Sequence, residues 1–176
     1  MTRKPDTKDW TWVIQRQCDE CGFDPAQFRR TEIDARIRAT ADGWRTVLAR
    51  PDVTTRPDPD TWSPLEYACH VRDVNAVMTE RLELMLRTQP VTFADWDQDS
   101  AEAEAEYNAQ NPATVGDQLE AATTGFAELY RTVGENDWSR QGLRSNGSAF
   151  TVETLGIYAL HDLEHHRVDV GLPART

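Results

Sequence analysis

Histidine is scarce in this sequence. There are four in 176 residues, three of them inside HDLEHH at 161–166 and the fourth at His70. Cysteine is scarcer, with three residues, and two of these form Cys18-Asp-Glu-Cys21-Gly22. So few cysteines without an export signal argue against a disulfide-stapled scaffold. They fit a reducing compartment, where paired cysteines bind metal or do redox work. Positive charge is also short: 19 Lys and Arg stand against 30 Asp and Glu, a formal charge of −11. That disfavours a sequence-independent nucleic-acid binder, which needs a basic surface to displace counterions. It equally disfavours docking on an anionic membrane. No apolar run approaches the ~18 residues of a transmembrane helix. The start, MTRKPDTKDW, lacks the apolar middle of a signal peptide. Glycine-rich phosphate loops, G-x-S-x-G and G-x-G-x-x-G are all missing. The expectation is a soluble cytoplasmic protein with no nucleic-acid or membrane partner.

What is present supports one helical domain. Hydrophobic content is 39% with six Trp, enough for a single core. Period-3.6 spacing predicts four long amphipathic helices. The first is expected over 26–50, with Phe28, Ile33, Ile37, Trp44 and Leu48 near one face. The second opens at TWSPLEY, with Ser63 as N-cap, Pro64 at the first helical position and Glu66 completing a capping box; it stops before Pro90. The third starts near Pro112 and carries Leu119, Phe126, Leu129 and Val133. The fourth runs from Thr151 to about Val170, with Gly171 and Pro173 as stop signals. Between the last two, SRQGLRSNGSAF reads as a loop or short hairpin around Asn146-Gly147. AEAEAE at 101–106 reads as a solvated helical stretch, and WTWVIQ as one short strand. The fold expected is an all-α four-helix bundle.

A helical wheel splits HDLEHH. With Val152 at zero, Leu155, Ala159, Leu163 and Val170 define the core stripe of the fourth helix. His166 lies about 40° and Asp162 about 80° from that reference, whereas His161 and His165 lie about 180° and 140° away. Spacing of i and i+4 puts two side chains on one face within a single ion's reach. His70 is at the core edge of the second helix, so His70, Asp162 and His166 can converge. Two His and one carboxylate form a catalytic metal set that leaves coordination positions open. The bland alternative is a His–Asp hydrogen-bond pair beside a solvated His-His end. HDLEH also matches H-x-x-E-H, in which His161 and His165 would bind zinc and Glu164 act as base; nothing else suggests a protease. The outward pair His161 and His165 could instead join Cys18 and Cys21 in a Cys2His2 structural zinc site. Reduced thiols or a redox pair are the alternatives there. Cys69 is expected to be packed. The three carboxylates of FADWDQDS around Trp96 could line a pocket mouth, bind a hard cation or form a solvated loop anchored by the Trp. Arg144 and Asn146 could hold an anion or serve the turn.

WSPLEYACHVRDV (62–74) and FTVETLGIYALHDLEHH (150–166) resemble the second and last helices of the DinB-like superfamily of four-helix-bundle metalloenzymes. This superfamily includes mycothiol-dependent maleylpyruvate isomerases and bacillithiol-type thiol transferases. The resemblance covers roughly residues 26–170. It implies one histidine on the second helix and an H-x-x-x-H pair on the fourth, binding zinc, nickel or another divalent ion. His70 matches the first of these. Alignment on the final His-His pair places Asp162 where the family has histidine and His166 on its last ligand. Alignment on the first histidine gives His161 and His165 as the interior pair instead, and the core stripe favours the former. The resemblance further implies a low-molecular-weight thiol cosubstrate of the mycothiol type, a small electrophilic substrate, S-transferase or isomerase chemistry and a homodimer. The competing reading is a non-enzymatic metal-binding or stress-response protein with structural sites. CDECGFD lies outside the usual family core, so residues 1–25 are expected to form an extension with the C-x-x-C knuckle, and 26–176 the bundle.

Overall fold

The computed structural model describes residues 8–174, so the first seven residues of the expected extension lie outside the described part. Six α-helices and three short strands follow in the order α1 (Ile33–Thr40), α2 (Trp44–Leu48), α3 (Pro64–Arg87), β1 (Val91–Phe93), α4 (Gln98–Ala105), α5 (Pro112–Arg131), β2 (Gln141–Arg144), β3 (Ala149–Thr151) and α6 (Val152–Asp169). α3 packs on α5 and α6, while α1 packs on those same two helices from the other side. These contacts make the four-helix bundle. Its core includes Ile37, Trp44, Leu65, Leu82, Phe126, Tyr130, Leu155 and Leu160, all fully or almost fully buried. Among the described residues no helix is long and apolar enough to cross a membrane.

The start signals act as their chemistry requires. Ser63 N–H donates to Glu66 Oε2 at 2.7 Å, and Glu66 N–H donates back to Ser63 Oγ at 3.2 Å, with Pro64 in the first turn of α3. Thr151 and Thr154 build the same reciprocal box at the start of α6 with hydroxyls alone. Asn111 caps α5, and Gly171, at φ 75°, follows the end of α6.

Three expectations need correction. The first helix is not continuous. Asp24 caps a 3-10 turn at Pro25–Gln27, a second turn covers Arg30–Glu32, and α1 ends before Gly43. Gly43 takes φ 87°, and a Cβ there would stand 2.8 Å from Leu172 Cδ2, so the chain breaks where the C-terminal tail crosses it. Arg167, buried on α6, locks the break by donating to the carbonyls of Thr40 and Asp42.

The fold is not purely α. β1 pairs parallel with β2 and β2 antiparallel with β3, the latter two joined at Asn146-Gly147 with Gly147 at φ 97°. Three-residue strands are too short to show alternation in sequence. Finally, WTWVIQ is no strand. Trp10–Ile14 is a 3-10 helix capped by Asp9, because its side chains pack on α6 rather than pairing with a sheet edge.

The α3 start yields a testable pH effect. Glu66 is fully buried and Arg56 Nε donates to it at 2.9 Å. Burial alone would raise this carboxyl, but Arg56 and the Ser63 N–H outweigh it and hold it below its ordinary range. Its stabilisation is therefore present above the unfolded-state pKa and is lost as pH falls through the depressed folded value. Glu66→Gln is expected to cost about 2–3 kcal/mol at neutral pH. In urea titrations the gap to wild type should close in acid.

Candidate metal centre

His70 faces inward from the second turn of α3, and Asp162 and His166 reach it from α6. The His70 Nε2–Asp162 Oδ1 distance is 3.3 Å and the His166 Nε2–Asp162 Oδ1 distance is 3.5 Å. The His70 and His166 rings meet edge to face at 4.7 Å. All three donor atoms lie within 4.8 Å of one another. Zinc–nitrogen and zinc–oxygen bonds of about 2.0–2.1 Å place neighbouring tetrahedral ligands about 3.3 Å apart, so the two measured separations suit a shared divalent ion.

The unsatisfied polar atoms point the same way. His70 is 0% exposed, and among the described residues neither of its ring nitrogens has a hydrogen-bond partner, nor does Asp162 Oδ1. Buried polar atoms without partners cost about 1–3 kcal/mol each, so their convergence needs an explanation. His166 supplies one. Its Nδ1 lies 2.7 Å from Asp169 Oδ2. A carboxylate on one ring nitrogen is the usual means of orienting a ligating histidine, and it leaves Nε2 facing Asp162 Oδ1 at 3.5 Å. Trp96 stacks on His70 at 5.5 Å and Trp62 packs on it at 5.0 Å, fixing the ring.

The electrostatics keep the donors in their ligating forms. Burial holds the His70 imidazole below its usual pKa against the pull of Asp162. Burial would raise Asp162, but His70, His166 and His161 outweigh it and keep the carboxylate ionised. Asp169, which is partly exposed, is likewise held low by His166. A cavity of about 250 Å³ opens beside the triad, lined on the α3–α6 side by Trp62, Tyr67 and Tyr158 and on the N-terminal side by Lys8, Trp10 and Glu20.

His161 and His165 flank Asp162 and His166 on α6, line the same cavity and turn toward the N-terminal segment. They are not solvated: Trp10 and Phe23 cover His161, and Cys18 Sγ lies 3.9 Å from His165 Nδ1. Cys18, Cys21, His161 and His165 form a second group whose donors lie within 4.8 Å of one another. Burial lowers His161 to about 4 and raises the Cys21 thiol to about 12. Glu164, the base of the H-x-x-E-H reading, is buried and accepts from Arg36 at 2.7 Å. Cys69 is packed in the core.

The other sequence candidates are engaged in local structure. Asp97 caps α4, and Asp95 lies 3.5 Å from Arg144. Arg144 also donates to Asn146 Oδ1 and Ser148 Oγ, which is turn chemistry. The sequence reading missed Asp169, although its i+3 spacing from His166 was visible. It also missed the two tryptophans that clamp His70. Asp169→Asn, which weakens acceptance from His166 Nδ1–H, is expected to lower zinc affinity at the triad about 10–100-fold by isothermal titration.

Comparison with known proteins agrees on the fold. A sequence model of the DinB superfamily matches residues 32–168. YfiT from Bacillus subtilis, described as a probable metal-dependent hydrolase with an unusual four-helix bundle topology, is similar with a TM-score of 0.66 and 16% identity, over 78% of this chain and 80% of that one. Mycothiol-dependent maleylpyruvate isomerase is similar with a TM-score of 0.64 and 18% identity, over 85% of this chain. A histidine-to-alanine variant of that isomerase gives a TM-score of 0.68 and 14% identity, also over 85% of this chain. The match spans 63% of the isomerase's own length. No curated protein matches by sequence.

Proposed function

The chain belongs to the DinB superfamily, and on that premise we propose that it is a metal-dependent enzyme joining a low-molecular-weight thiol of the mycothiol type to a small electrophilic substrate, as an S-transferase or isomerase. The observation that carries this reading is a three-donor set opening on a cavity. His70, Asp162 and His166 would supply three ligands, and Asp162 and His166 line the cavity. A catalytic site keeps a position open, whereas a structural site closes it with a fourth protein ligand. That favours an enzyme over a purely structural metal-binding or stress-response protein.

A divalent ion there, zinc first and nickel next, supplies Lewis acidity and lowers the pKa of a bound thiol or water. The chain's own residues do the rest. Trp62 and Trp96 hold His70 rigid, and Asp169 orients His166. Tyr158 lines the cavity with its phenol pushed up in pKa by burial, so it stays protonated and can donate a hydrogen bond to a substrate oxygen. Trp62, Tyr67 and Trp10 contribute aromatic surface to a cavity otherwise lined by polar and charged side chains. Water in place of the thiol would give hydrolysis, the chemistry named for YfiT. A cytoplasmic location suits the reading, because Cys18, Cys21 and Cys69 are all free thiols.

The test is adduct formation between mycothiol and a small maleyl or haloalkyl electrophile, followed by mass spectrometry with zinc-loaded protein. Wild type is expected to exceed the His70→Leu variant by about 100-fold or more. Equal rates for the two proteins would overturn the enzymatic reading. Hydrolysed electrophile without thiol adduct would replace the transferase with a hydrolase.

A further inference from the structure

We propose that Cys18, Cys21, His161 and His165 hold a second, closed zinc ion that fastens the N-terminal segment to α6 and thereby builds one wall of the cavity. The proposal rests on a donor set that shares no residue with the triad, although both sets border the same cavity.

Local geometry supports it first. Cys18-Asp-Glu-Cys21-Gly22 forms a tight knuckle in which Gly22 N–H donates to Cys18 O at 2.8 Å and Cys18 N–H donates to Phe23 O at 2.9 Å. Gly22 takes φ 80°, which lets the chain turn back directly after the second sulfur. Both sulfurs therefore point the same way, at two imidazoles one helical turn apart. His161 Nε2 is buried with no hydrogen-bond partner among the described residues. His165 offers Nδ1 toward Cys18 while its Nε2 lies 3.7 Å from Glu20 and 3.8 Å from Asp169. At those separations the two carboxylates supply negative charge near the far nitrogen without hydrogen-bonding it.

Charge and burial then select the ion and the role. Cys18 is 0%, His161 4%, and Cys21 and His165 each 8% exposed. Two thiolates and two neutral imidazoles around Zn²⁺ sum to zero charge, so the complex can be buried without an uncompensated ion. Four protein ligands of this softness make a tetrahedral structural site with no open position. Trp10 packs on both His161 and His165, at 5.4 and 5.2 Å, and with Glu20 it lines the cavity beside the triad. Losing the ion would therefore loosen the N-terminal side of the cavity without removing a triad ligand.

The experiment uses untagged full-length protein. Zinc is quantified per chain, and the cobalt-substituted protein is examined for the near-ultraviolet sulfur-to-cobalt charge-transfer band. Wild type should show that band, with zinc X-ray absorption giving sulfur at about 2.3 Å and nitrogen at about 2.0 Å. Cys18→Ser/Cys21→Ser should lose the band and one zinc equivalent relative to wild type. Proteolytic cleavage within residues 8–25 should rise about 10-fold or more. His70→Leu should keep the band in full, which separates this site from the triad. The proposal is overturned if wild-type protein lacks sulfur ligation, if the double serine variant retains its full zinc content, or if freshly purified protein carries a Cys18–Cys21 disulfide. Should the serine variant fail to fold, the wild-type absorption and cobalt spectra decide alone.

Discussion

His70→Leu is expected to abolish zinc binding at the triad while making the metal-free protein more stable. The first half follows from ligand count. Two donors on one helix turn remain, and loss of a direct ligand should exceed the 10–100-fold cost of losing an orienting partner, giving about 1,000-fold or more. The second half follows from burial. His70 is fully enclosed and both ring nitrogens lack hydrogen bonds among the described residues. Leucine fills nearly the same volume between Trp62 and Trp96 without polar atoms to desolvate. Removing that penalty, less the loss of the His70 nitrogen 3.3 Å from the Asp162 carboxylate, should stabilise the metal-free fold by about 1 kcal/mol. At this size each kcal/mol moves Tm by roughly 2–4 °C, so a rise of roughly 2–4 °C is expected in calorimetry with chelator. Zinc at a hundred times its Kd should reverse the order, since it adds about 2.7 kcal/mol to wild type alone through the triad. A histidine retained for packing would behave oppositely, losing stability in every condition.

Gly156→Val is expected to be the most damaging substitution outside the two donor clusters. A Cβ at Gly156 would stand 2.6 Å from Ile33 Cδ1, 2.9 Å from Tyr130 Oη and 3.1 Å from Tyr130 Cζ. The isoleucine tip can rotate away. The tyrosine cannot do so cheaply, because it is nearly fully buried and donates to Val152 O at 3.0 Å. Valine adds two methyls to this contact. The expected loss is about 3–4 kcal/mol, the upper range for overpacking, or roughly 6–16 °C in Tm. The loss should be the same with and without zinc, which distinguishes a packing fault between α1, α5 and α6 from a ligand fault. A Tm change of less than about 2 °C would show that α6 does not rely on this close approach.

Much of the bundle was legible because its signals are local. Ser63, Pro64 and Glu66 announce the start of α3 within four residues, and the apolar spacing that follows fixes its buried face. The wheel of α6 separated Asp162 and His166 from His161 and His165, and in the structure the first pair lies near His70 and the second near Cys18 and Cys21. The failures came from contacts distant in sequence. The break between α1 and α2 depends on Leu172 and Arg167 crossing it from the far end of the chain. β1 gains its strand only by pairing with β2 some fifty residues later. The N-terminal segment covers the outward face of the wheel, which is why α6 is buried on both sides and shows so little amphipathic contrast. The tryptophans around His70 come from loops on either side of α3, where periodicity has no voice.

Anomalous diffraction at the zinc edge, from untagged protein crystallised with zinc and never exposed to chelator, tests the triad most directly. The expected result is a peak within bonding distance of His70 Nε2, Asp162 Oδ1 and His166 Nε2, with no fourth protein side chain on the cavity side. Absence of a peak there, or a peak closed by a fourth protein ligand, would contradict an open catalytic metal centre.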